Sequence, residues 1–330
     1  MIHECPQESF TVLICDCAKS QSKSAVGTGA MAPTGYTPTF LRERATAINA
    51  LAGGVRAEIV EFNSHCSVPG SEDACALVIR GTARATADAS LKHVAKEISY
   101  DRFAFLQGSV KNAHSRHLVF VGQEARRADA STGVHTVLPW SEVPALSTAK
   151  DTVLNEYLGD PAHVDSACLL HYQDINKCGI GWHGDGERRR TILYRVGKNS
   201  ARRPIHLQWY QQGMPVSEPM SIILGHGDFF IPSAKAVGTD WKLRKVPTLR
   251  HATGFLSQGA APKVTARAAK RQREAADAKP STTTAHPFGT PVFEEWDEER
   301  DGPEPFGCMA AGWGHRSLAS YPSSPKRSKK

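Results

Sequence analysis

His183 and Asp185 stand one residue apart in the segment GIGWHGDGERRR, residues 179–190. Side chains alternate along an extended segment, so an imidazole and a carboxylate two residues apart share a face. A third histidine, brought in by a distant strand, would complete two imidazoles and one carboxylate around a metal. That donor set suits non-haem Fe(II) and leaves positions open for a co-substrate and O2. Two later histidines qualify: His226, which opens a second His-x-Asp with Asp228, and His251 in TLRHATG, residues 248–254. A lone HxD arises by chance, so its weight depends on what surrounds it.

The elements that must position these groups are mostly strands. FTVLIC (10–15) is a short apolar run, and VRAEIVEF (55–62) and CALVIRG (75–81) carry the β-branched content and partial alternation of strands. RHLVFVG (116–122) is another strand. From Cys168 onward strands dominate, in ACLLHY, RTILYRVG, IHLQWY, SIILG, DFFIPS and VPTLRHA, most of them bounded by Gly, Pro or Asn. Helices are expected over 40–52, ended by Gly53-Gly54, and over 87–98, where Leu91, Val94, Ala95 and Ile98 share a face. A further helix is expected within 139–158, beginning near Trp140, and residues 19–39 read as a loop. This pattern is β-rich with helices in front, not alternating βαβ units. After Gly259 the composition turns to Ala, Lys and Arg, then Pro and Thr, then an acidic cluster at 294–304, and ends SSPKRSKK. Such a stretch cannot bury enough apolar surface to offset its ordering entropy, so 259–330 is expected to be a disordered tail.

The chain has 330 residues, 40% of them hydrophobic, and a net charge of +7. That length allows one large domain or two modest ones. The basic bias favours polyanions, because neutralising phosphates with Lys and Arg drives nucleic-acid binding. SSPKRSKK is a candidate nuclear-localisation or polyanion-binding stretch. The eight cysteines form no CxxC pair, which argues against a zinc ribbon and for free thiols in a reducing compartment. The apolar run at 10–15 is too short for a signal peptide, and nothing approaches the ~20 apolar residues of a membrane span. A soluble intracellular monomer, in nucleus or cytoplasm, is expected.

In its order of motifs the chain resembles the AlkB family of Fe(II)/2-oxoglutarate oxygenases, notably the variant found in large viruses, phages and algae. The resemblance rests on GIGWHGDGERR, on SAKAVGTDWK and on TLRHATG, with SVKNAHSRHLVF (109–120), the Trp140 helix and LLHYQD (169–174) in the family's order. It covers about 100–258 well and 1–99 loosely. It implies an α+β, mainly β fold: a double-stranded β-helix (jelly-roll-like) core at 100–258, with an α/β extension at 1–99 packed on it. It implies His183, Asp185 and His251 as iron ligands, because the family's GHGD turn, here with His226, is structural. Tyr172 matches a tyrosine that hydrogen-bonds 2-oxoglutarate, while Leu170 stands where the family usually has Asn. The cation for the distal carboxylate usually follows the third ligand, where this chain has Lys263 and Arg267. Arg195, flanked by Tyr194 and Val196, is the rival, and the favoured one, because an arginine inside an apolar run demands a partner. Glu187, Arg188 and Arg189 are candidates for contact with a base or phosphate. Trp182 and Trp209 read as core aromatics.

The implied reaction oxidises 2-oxoglutarate to succinate and CO2 while a C–H bond is hydroxylated. On an N-methyl group the product loses formaldehyde, so demethylation of alkylated DNA or RNA is the leading expectation. The alternatives are a protein or small-molecule hydroxylase with the same iron chemistry, and a nucleic-acid-binding module with a decayed site.

Overall fold

The computed structural model describes residues 8–19, 27–51, 53–65, 70–106, 109–113 and 116–254. Lys263, Arg267 and the expected tail lie outside them. The elements begin with β1 (Ser9–Cys15), a two-residue pair β2 (Cys17–Ala18) and β3 (Thr28–Gly29), and α1 (Pro38–Asn49). Next come β4 (Arg56–Glu61), β5 (Cys75–Arg80), α2 (Arg84–Lys96) and the paired β6 (Phe103–Leu106) and β7 (Ser109–Asn112). β8 (His117–Gly122), β9 (Val137–Pro139) and α3 (Pro144–Asp151) follow. Strands fill the rest: β10 (Ser166–Tyr172), β11 (Gly179–His183), β12 (Thr191–Val196), β13 (Ile205–Gln211), β14 (Met214–Pro215), β15 (Met220–Ile222), β16 (Phe229–Pro232) and β17 (Thr248–Gly254). One helical turn, α4 (Ala234–Val237), precedes β17.

Two helices depart from their sequence spans for local reasons. α1 starts earlier than expected because the Thr37 hydroxyl accepts from Phe40 N and Pro38 presets the first turn. It stops at Asn49, whose side-chain amide pairs with both backbone groups of Ala57 at 2.8 Å. The expected Trp140 helix is a 3-10 turn, Trp140–Glu142, followed by α3 and a π-helical run, Thr152–Leu158, closed by Gly159 at φ 64°.

The described residues are mostly β, in antiparallel sheets, with β8 and β9 the one parallel pair. The large sheet has the order β4-β5-β16-β12-β1-β10-β8-β9. The small sheet runs β11-β17-β13-β14, with β15 also pairing β13. From β10 to β17 the chain alternates between the two: β10, β12 and β16 enter the large sheet, β11, β13 and β17 the small one. β1 fills the place between β12 and β10 from the opposite end of the sequence.

That placement corrects the expected division at residue 99. Residues 1–99 supply β1, β4 and β5 to the large sheet, and the described residues form one unit. The physical reason is pairing: removing β1 would expose both hydrogen-bonding edges of its neighbours. Phe10, Val12 and Ile14 turn outward from β1 to meet Ile192, Tyr194 and Val196 of β12 beneath Leu41, Ile48, Leu91 and Val94 of the helices. Each such buried side chain contributes about 2 kcal/mol. Thr11, Leu13 and Cys15 face the other way, into the space between the sheets. There Ile205, Leu207 and Trp209 of β13 pack against Val78 and Phe230. No helix among the described residues is long and apolar enough to cross a membrane.

Candidate metal centre

β11 and β17 pair antiparallel so that His183 lies directly opposite His251, both pointing between the sheets. Their rings are 4.4 Å apart between centroids at 64°. The sequence reading placed both members of His-x-Asp on one strand, but β11 ends at His183 and Asp185 lies in the following turn. That turn is fixed by Asp185 N donating to the Val237 carbonyl of α4 at 3.0 Å. Asp185 Oδ1 then stands 3.7 Å from His183 Nε2 and 3.8 Å from His251 Nε2. One donor atom from each residue falls within 4.8 Å of the others, as a shared metal requires.

The protonation pattern suits ligation. His183 Nδ1 lies 2.8 Å from the Gly181 carbonyl, which can only accept, so the proton is on Nδ1 and Nε2 is free for a metal. Burial, then the facing His183, pushes His251 down to about 4. Burial opposes charge on Asp185, but Arg188 and the two imidazoles outweigh it and hold the carboxyl below its usual range. Two imidazoles and one carboxylate converging with their donor atoms form the 2-His-1-carboxylate set, so the residues fit iron.

A cavity of about 130 Å3 opens beside the triad between the two sheets, lined among others by Thr11, Leu170, Tyr172 and Arg195. Arg195 is 1% exposed. Its guanidinium donates to the Thr11 hydroxyl and, at 3.1 Å each, to the Thr253 hydroxyl and the Arg203 carbonyl, while Nε has no acceptor. Among the described residues no carboxylate acts on it; burial and the neighbouring Arg203 push it down to about 9. Arg203 is itself fully buried with its guanidinium over the Tyr172 ring, and among the described residues no carboxylate acts on it. Arg195, a buried cation with no carboxylate against it among the described residues, makes this end of the cavity suited to an anion.

No protein-family model matches this chain. It is 33% identical over 255 residues to "Uncharacterized protein R156" of Acanthamoeba polyphaga mimivirus, across 75% of this chain and 96% of the viral protein. The chain belongs to the family of that viral protein. Because the match spans nearly all of the viral relative, family membership concerns the whole body and not a motif.

Several expected residues fall elsewhere. His226, the rival third ligand, receives Gly197 N on Nδ1 at 2.8 Å and donates from Nε2 to Asp88 at 3.0 Å, away from the triad. Asp228 accepts from Gly225 N and from Arg80, a structural turn as expected. Arg188 is no rim residue: it is buried, bonded to Glu187 at 2.6 Å, with Nε 3.7 Å from Asp185 Oδ2. Arg189 donates to the carbonyls of Ala32 and Pro33, which leaves it a structural tie. Trp209 is core, its indole N–H donating to the Phe62 carbonyl at 2.9 Å, while Trp182 is half-buried beside His206 and Tyr210. The described cysteines are free thiols.

Sequence reasoning missed Arg203, Thr11, Thr253 and Asp16. Asp16 is fully buried and accepts from Ala32 N at 2.7 Å, Arg189 N at 3.0 Å and Arg190 N at 3.2 Å, tying the turn after Asp185 to the end of β1. An acid between two cysteines at the end of an apolar strand was a usable signal. Arg203 sits in a polar loop and offered none.

Proposed function

We propose that this protein is an Fe(II)- and 2-oxoglutarate-dependent dioxygenase of AlkB type, acting on alkylated nucleic acid. The observation that carries the reading is the His183, Asp185 and His251 cluster opening onto a cavity whose far side holds Arg195 without a counter-charge. The strand alternation between two facing antiparallel sheets supports the finer fold, a double-stranded β-helix.

His183, Asp185 and His251 would hold the iron, which when bound supplies reaction of O2 with 2-oxoglutarate, one oxygen atom going to succinate and the other to a hydroxylated C–H bond. Arg195 receives the distal carboxylate of 2-oxoglutarate, whose two oxygens match the guanidinium fork. Tyr172, under Arg203, closes the same side of the cavity. Arg188 holds Asp185 charged and keeps it from turning away. The apolar walls, Leu13, Leu170, Leu193 and Ile205, exclude water from the reacting groups. A nucleic-acid substrate is supported by the motif resemblance and the net charge of +7; an intracellular monomer, nuclear or cytoplasmic, is part of the same reading.

The decisive experiment measures succinate formed from 2-oxoglutarate with Fe(II) and methylated oligonucleotides. A chelator should abolish turnover and added Fe(II) restore it, and Asp185→Ala should be inactive while folded. Full turnover in Asp185→Ala sinks the assignment. Turnover with peptides but not with oligonucleotides moves the substrate to protein.

A further inference from the structure

After β17 the alternation of strands calls for a return to the large sheet, and the place between β12 and β10 is already held by β1. Residues near the start of the chain therefore stand beside Arg195. Thr11 lies directly opposite Arg195 in the β1–β12 ladder, both side chains turned into the cavity.

We infer that Thr11 is a positioning residue that aims the buried Arg195 guanidinium at the distal carboxylate of the co-substrate; this rests on the 2-oxoglutarate reading above. A carboxylate in this place would neutralise Arg195 and compete with an anionic ligand. A hydroxyl fixes direction and leaves the charge in force. The three acceptors around Arg195 are all uncharged: the Thr11 and Thr253 hydroxyls and the Arg203 carbonyl. They come from β1, from β17 and from the loop before β13, so the fork is held on several sides. The same face of β1 carries Ser9, Leu13 and Cys15; Ser9 Oγ is buried without a partner among the described residues, so of these side chains it is Thr11 that accepts from the guanidinium. Around metal sites, groups that orient a ligating residue change affinity or activity by about ten- to a hundredfold when removed, and the low end of that range sets the expectation for Thr11.

The test is calorimetric titration of 2-oxoglutarate into full-length protein loaded with Mn(II), with Mn(II) affinity measured separately. Thr11→Val keeps shape and β-branching but removes the acceptor, and should raise the Kd for 2-oxoglutarate about tenfold, roughly 1.4 kcal/mol. Thr11→Ser should stay within about twofold of wild type, because the hydroxyl is kept. Mn(II) affinity should be equal in all three, which a general loosening of the fold would not leave unchanged. Should Thr11→Val fail to fold, Thr11→Cys, of similar volume but a weak acceptor, should still weaken binding by about threefold or more. Wild-type binding in Thr11→Val, or binding in Thr11→Ser as weak as in Thr11→Val, overturns the inference. A wild-type protein that takes Mn(II) but no 2-oxoglutarate overturns the co-substrate reading instead.

Discussion

At the scale of single residues, the two His-x-Asp sequences test whether chemistry or geometry decides a ligand. His226 and His251 are the same residue type, yet one ring is committed to Gly197 and Asp88 and the other faces His183. His251→Ala should abolish Mn(II) or Fe(II) binding, whereas His226→Ala should keep it and lose about 1–2 kcal/mol of stability for its two hydrogen bonds. Metal titration with a denaturation curve on each variant checks this. A second prediction concerns the far side of the large sheet, where His117 on β8 pairs directly with His171 on β10. Burial lowers both, with Arg102 adding to it; His171 further lowers His117, while Glu8 works against the shift of His171. A depressed histidine refuses protons that the unfolded chain takes up near 6.5. Stability is therefore full above that pH and is lost as pH falls below it. The thermal midpoint should decline from about pH 7 to about pH 5, and less steeply in His117→Gln. An unchanged slope in that variant would count against the pair.

At the scale of elements, β1 and the turn after Asp185 act together. Asp16 receives Arg189 N and Arg190 N, and Asp16 N in turn donates to the Arg190 carbonyl at 3.2 Å. Asp16→Ala leaves buried amides without acceptors, each costing about 1–3 kcal/mol. It should lower the thermal midpoint and weaken metal binding, since the same turn carries Asp185. Asp16→Asn, which keeps an acceptor, should recover part of both; metal affinity untouched in Asp16→Ala would show that the turn holds itself. Much of this scale was legible in sequence. The spans of β1, β5, β8, β10, β12 and β13 follow from apolar runs bounded by turn residues. β6, β7 and β9 were missed because FAFL, SVKN and VLP are too short to show a period.

For the whole molecule, the described residues belong to one unit that ends within Met1–Lys263. A chain ending at Lys263 should fold with the thermal midpoint of the full protein and keep its metal affinity. Loss of either would show that residues beyond Lys263 belong to the body. A chain beginning after Cys17 should fail to fold, because the large sheet would lose a strand paired on both edges. Circular dichroism on the two truncations separates these outcomes.

The sequence alone carried the ligand types, the spacing of His183 and Asp185, the β-rich pattern and the demand of Arg195 for a partner, since each is a local property of neighbouring residues. It left the choice between His226 and His251 to a resemblance. It could not show that β1 lies beside β12, because pairing between residues separated by most of the chain leaves no local period. Only the tertiary structure set His251 opposite His183, brought Arg203 and Thr253 to Arg195, and turned Arg188 inward to Asp185. His251 and Thr253 reach their partners from a strand some distance along the chain, through strand pairing and the facing of the sheets, while Arg188, three residues from Asp185, is turned by the fold of its own loop.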